Sequence, residues 1–115
     1  MTIKDIKIAL EIFEEACIKH AEATEKGDYK TANKYYTKIV KVAKFLKEEN
    51  AITNLKNYLS SPFVGVRLWA GYYWLTINEQ EGIKVLKEIV NSPTIHSLTA
   101  ETTLSEWKRG NLKIW

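Results

Sequence analysis

Cysteine, proline and glycine are all scarce in this chain, which holds one, two and five of them in 115 residues. A lone Cys17 can form no internal disulfide, so the fold must rest on packing, and a reducing, cytoplasmic setting is expected. So little proline and glycine argues against a disordered, collagen-like or turn-rich chain and in favour of helix. No apolar run approaches the roughly 18 residues of a membrane span, and Met1-Thr2-Ile3-Lys4 does not read as the start of a signal peptide, so no membrane partner is expected. Neither sign of charge dominates. Seventeen basic against 14 acidic residues leave a net charge of +3, well short of a dedicated nucleic-acid binder. Apolar residues, by contrast, make up 45% of the chain, which suits one core and a single helical domain over 1–115.

Successive residues of a helix turn by about 100°. From Lys4 to Lys26 this puts Ile6, Ala9, Leu10, Phe13, Ala16, Cys17, His20 and Ala21 on one side and Glu11, Glu14, Glu15, Glu22 and Glu25 on the other. Gly27-Asp28 then supplies a helix stop and an N-cap, because glycine tolerates the left-handed cap and aspartate accepts from first-turn amides. Beyond it Tyr29, Ala32, Tyr36, Ile39, Ala43 and Leu46 recur at three- and four-residue steps, opposite Lys30, Lys34, Lys38, Lys41 and Lys44. The pattern predicts a long N-terminal helical hairpin.

The second half differs. Ile52, Leu55 and Leu59 mark a short helix stopped at Ser60-Ser61-Pro62, whose proline suits the first turn of the next helix. That helix, about Phe63 to Ile77, carries one charge, Arg67, among Val64, Val66, Leu68, Trp69, Tyr72, Tyr73, Trp74 and Leu75, and a helix apolar all round is expected to be surrounded. Asn78 caps a fifth helix, about Glu79 to Asn91, with Ile83, Leu86, Ile89 and Val90 facing inward. A sixth follows Ser92-Pro93 and ends at Gly110, leaving Asn111 to Trp115 as a tail pinned by its tryptophan. The fold class is therefore all-α with about six helices.

Ser61-Pro62 and Ser92-Pro93 lie 31 residues apart, and Leu68, Ala70 and Trp74 then fall, within one position, on Leu98, Ala100 and Leu104. Two helices per period is the pattern of stacked helical repeats, although only one unit is complete. Val66-Arg67-Leu68-Trp69-Ala70-Gly71-Tyr72-Tyr73-Trp74-Leu75 resembles the first helix of a HEAT-like repeat: valine-arginine, two residues, a pair of small residues, then a leucine near the helix end. Gly71 replaces the usual second alanine, and Trp74 is larger than the usual residue. The resemblance covers about 62–109. The whole chain is similar to small bacterial proteins of domain-of-unknown-function family twenty-nineteen, which implies a HEAT-like, right-handed α-α stack after the hairpin and no particular activity.

Few residues suggest chemistry. Arg67, on an apolar helix, must either pair with an acidic neighbour such as Glu101, Glu79 or Glu81, linking repeat units as the resemblance implies, or reach a carboxylate or phosphate on a partner. Cys17 and His20 share a helix face but make only two of the three or four ligands a zinc site needs, and His96 is distant, so no metal or cofactor is expected. The types needed for a Cys17–His96 nucleophilic pair are present without any surrounding motif. The lysine stripe resembles a phosphate track. The neighbouring glutamates are expected to offset it, and no aromatic is expected among the lysines as a base-stacking platform, so nucleic-acid contact should be weak. The aromatics of the apolar helix are mostly core, with one or two lining a groove. Arg67, Trp69, Tyr73 and Trp107 form the expected partner surface. The chain thus reads as a non-catalytic protein-interaction module, with an immunity or antitoxin-like role as one version, and a nucleic-acid-associated helical repeat protein as the alternative.

Overall fold

A computed structural model describes residues 5–115. The helix start expected at Lys4 and the opening Met1-Thr2-Ile3-Lys4 lie outside the described residues. The described residues are helical and contain no strand. They gather into two compact units, Met1–Asn57 and Tyr58–Trp115.

In the first unit α1 (Ile6–Glu25) packs along α2 (Tyr29–Glu48). The Asp5 carboxylate caps α1 by accepting from the amides of Lys7, at 2.7 Å, and Ile8. Gly27, at φ +72°, closes the helix: its amide donates to the Thr24 carbonyl, and that of Asp28 to Ala23, the paired bonds of a left-handed helix stop. Asp28 then caps α2 by accepting from the Thr31 amide at 3.1 Å. Hydrogen bonds from Thr31 hold this carboxyl below its ordinary range, aided by the charge of Lys26. Gly27-Asp28 is thus stop and start at once, as its residue types require. Asn50, at φ +56°, ends α2 in the same way, with the Ala51 amide donating to Leu46.

Buried on α1 are Ala9, Phe13, Ala16, Cys17, Ala21 and Ala23, and on α2 Ala32, Ile39, Val42, Ala43 and Leu46. Three residues expected inside are outside. Ile6 and Tyr29 are exposed, because each is the first residue of its helix and a helical side chain leans back over the preceding turn, past the end of the packed stripe. Tyr36 is exposed because Val42 belongs to the stripe, whose centre moves away from Tyr36 and leaves it at the rim.

A stretch of 3-10 helix, Ile52–Ser60, carries the chain onward, with Leu55 buried. The second unit holds α3 (Val64–Trp74), α4 (Glu79–Val90) and α5 (Ser97–Lys108), and α4 packs against both of the others. Pro62 precedes α3 rather than occupying its first turn, and the Ser61 hydroxyl accepts from the Phe63 amide. α3 ends at Trp74, short of the expected Ile77, as its last bonds tighten: the amides of Thr76 and Ile77 reach only three residues back. Asn78 caps α4 as expected, accepting from the Glu81 amide. Gly110, at φ +76°, closes α5 with Asn111 donating to Glu106.

The core of this unit is Leu68, Leu75, Leu86, Ile89 and Ala100, flanked by Ile83, Leu104, Trp107 and the tail residues Leu112 and Ile114. α3 and α4 meet through glycines. A Cβ on Gly82 would come within 2.9 Å of the Leu75 amide nitrogen and 3.1 Å of the Gly71 carbonyl oxygen, so only glycine lets the backbones approach this closely. The tail is pinned as expected: Trp115 stacks on Tyr73 with ring centres 5.1 Å apart, and its indole N–H donates to the Thr76 hydroxyl.

The repeat register departs from expectation. α3 begins two residues after Pro62, whereas α5 begins four after Pro93, because the Thr94 hydroxyl and carbonyl bind the His96 and Ser97 amides in an intervening turn. Ala70 and Ala100 are both buried, but Leu68 is buried while Leu98 is 69% exposed. The added turn residues rotate Leu98 out of the equivalent place.

Candidate functional site

α5 is held to the unit lightly. Ala100 is its one buried residue, and Thr99, Thr102 and Thr103 lower its intrinsic helix preference. The Thr103 hydroxyl donates back to the Thr99 carbonyl at 2.8 Å, which occupies a group that would otherwise seek water or a partner. Leu98 stands out on the open side beside Ile95, which is 59% exposed.

Three clefts open along this helix. The largest, about 480 Å³, lies between α4 and α5 and is lined by Ile83, Leu104 and Trp107, with Glu79, Lys87 and Lys108 at its rim. A cleft of about 100 Å³ lies between α3 and α5 against Leu68, Trp69, Tyr72, Thr99 and Thr103. Another, about 330 Å³, is lined by Leu98, Thr99, Thr102, Thr103, Glu106 and Leu112. The latter two share Thr99 and Thr103 as a common wall.

Two indoles of this unit, one of them in the largest of these clefts, are fixed by hydrogen bonds. Trp107 donates to a Glu79 carboxylate oxygen at 2.9 Å, and Trp74 donates to Glu81 at 3.4 Å. These contacts correct the expectation for Arg67. Two of the three glutamates expected as its partners, Glu79 and Glu81, serve tryptophans instead, and among the described residues Arg67 has no ion pair with these or with Glu101. Its Nε is buried without a hydrogen-bond partner among those residues.

The four residues expected to form one partner surface do not converge. Tyr73 is buried, edge-on to Tyr72 at 5.0 Å and stacked on Trp115, so it cannot meet a partner in this structure. Arg67 is half-buried on α3 and lines none of the three clefts. Trp69 and Trp107 are half-buried in different clefts with α5 as the wall of both. Sequence reasoning missed Leu98, Thr99, Thr102 and Thr103, having noted Leu98 only as the repeat match of Leu68. The available signal was the run of threonines, which no buried helix face needs.

Elsewhere, Cys17 is buried, and burial, with the charge of Glu14 second, lifts its thiol well above the ordinary value, so it stays protonated at neutral pH. His96 is buried at the start of α5. Among the described residues no three of histidine, cysteine, aspartate and glutamate gather as metal ligands, and no helix is long and apolar enough to cross a membrane.

The lysine face of α2 also differs from expectation. Lys34 and Lys38 each lie 5.6 Å from the centre of the Tyr35 ring, so an aromatic does sit among the lysines. No known protein family, curated protein or solved structure matches the chain.

Proposed function

We propose that the chain is a non-catalytic protein-interaction module that receives a partner segment along α5. The observation that carries this reading is the opening of clefts on both flanks of one thinly buried helix, with the half-buried rings of Trp69 and Trp107 in them. Rings already held in place give contact area at low entropic cost, and the apolar floor with a charged rim matches the anatomy of a protein interface. An immunity or antitoxin-like role is the concrete version, in which the small domain covers a toxin surface; a toxin encoded beside this chain would support it.

The test compares Leu98→Glu and Trp107→Ala with Lys34→Glu in affinity capture followed by quantitative mass spectrometry. A protein captured by the parent and by Lys34→Glu, and lost on the α5 variants while their melting stays cooperative, supports the reading. A protein lost only on Lys34→Glu transfers the interaction to the hairpin. The two α5 variants differ in kind, since one adds charge at an exposed site and the other removes a ring from a cleft.

A further inference from the structure

We infer that the floor beneath the tail, at the end of α3, is a recognition groove for a short apolar segment carrying a tryptophan, and that the tail is a strap which a partner segment of this kind displaces. This inference rests on the tail and the end of α3 and is independent of the α5 reading.

The strap is held by side chains. The Asn111 amide donates to the Glu106 carbonyl as part of the end of α5, and beyond it Leu112, Lys113 and Ile114 make no hydrogen bond among the described residues. Leu112 and Ile114 are half-buried against the core while Lys113 between them is exposed, the two-residue period of an extended segment. Lifting the strap therefore breaks no helix and no sheet ladder. It gives up side-chain contacts and returns backbone entropy to the freed residues.

The floor beneath is specific. Trp115, itself 39% exposed, stacks on the ring of Tyr73, which is 2% exposed. Tyr73 in turn meets Tyr72 edge-on at 5.0 Å and Trp69 at 6.4 Å, so its ring is a fixed platform, and lifting the strap opens a flat aromatic face. Thr76 stands beside it. Its hydroxyl donates to the Tyr73 carbonyl at 2.8 Å, which commits its one proton and leaves the oxygen an acceptor, and the Trp115 indole N–H fills that place at 3.2 Å. The floor thus selects a flat ring that carries a donor, which tryptophan has and phenylalanine lacks. An apolar segment with a tryptophan is the occupant that the structure shows seated, and a partner bearing the same pattern fits the same floor.

The experiment is fluorescence anisotropy of a labelled peptide, Asn-Leu-Lys-Ile-Trp, titrated with the full chain and with two released full chains, Trp115→Ala and Ile114→Ser combined with Trp115→Ala. The released chains should bind the peptide about tenfold more tightly than the parent, whose own strap competes at an effective concentration in the millimolar range. Phenylalanine in place of the peptide's tryptophan should weaken binding to the released chains about fivefold, as expected for one hydrogen bond, and Thr76→Val in the released background should abolish that preference. Leucine in the same place should weaken binding further, since the stack on Tyr73 is lost as well. Melting curves verify folding of each variant, and Trp115→Ala, which removes one part-exposed ring, keeps the test open where the double variant unfolds. No binding to a folded released chain, equal binding by parent and released chains, or a tryptophan preference that survives Thr76→Val would each overturn the inference.

Discussion

α3 and α5 are nearly the same length, 11 and 12 residues, and belong to the same compact unit, yet they are used in opposite ways. No residue of α3 is exposed, whereas α5 buries only Ala100. The aromatic-rich helix, which looks most like a binding surface in the sequence, is the core element. The threonine-rich helix, which looks like a poorer copy of it, is the open one. Aromatic density on α3 therefore marks burial, and of the rings that line the clefts beside α5, Trp69 and Tyr72 on α3 and Trp107 on α5, each is only half-buried.

The largest expected effect tests this contrast directly. Leu68→Ala, which empties a buried site on α3, should cost about 3 kcal/mol, while Leu98→Ala at the position paired with it by the sequence repeat should change stability by less than about 0.5 kcal/mol. Urea unfolding of the two variants decides it, and equal losses would restore Leu98 to a core. Next comes Gly82→Ala, expected to cost about 2 kcal/mol, because the new methyl meets the backbone at Leu75 and Gly71 and the two helices must separate. Gly71→Ala should cost less in the same assay, since its methyl meets the Val85 side chain at 3.1 Å rather than backbone.

Trp107→Phe keeps an aromatic in the α4/α5 cleft but removes the indole bond to Glu79, so a loss of about 1 kcal/mol is expected. A thermal melt measures that loss, and a much larger one would mean that Trp107 is a core residue like those of α3. The smallest effect is expected at Arg67. A buried ion pair would make its removal costly, by about 3 kcal/mol, but with no ion pair among the described residues Arg67→Met should fall within about 0.5 kcal/mol of the parent or stabilise it. Chemical denaturation that shows a loss near the larger figure would establish a partner for this side chain.

Much of the local structure was legible in the chain. Gly27-Asp28, Asn78 and Gly110 set helix ends through their own side chains or freedom of φ, so their roles needed no distant information. The same holds for the stripe through Phe13, Ala16 and Cys17, where three- and four-residue spacing is enough to name a face. The site was less legible. Arg67 was given partners by charge and by the repeat resemblance, but Glu79 and Glu81 satisfy indole N–H groups that the sequence shows only as tryptophans at other positions. Tyr73 was read as a candidate anchor because its ring is large, and Trp115, 42 residues later, is what covers it.

The sequence by itself determined the helical class, the order of the helices and most of their ends, because those depend on spacing and on conformational preferences over a few residues. Only the tertiary structure decided which face of each helix is spare. One turn of Thr94 hydrogen bonds ahead of α5 rotates Leu98 outward, and a shift in the stripe of α2 leaves Tyr36 at its exposed rim. A residue's exposure is set by what packs on it, and a change of about 100° per residue in helical phase is enough to exchange core for surface without altering any local pattern.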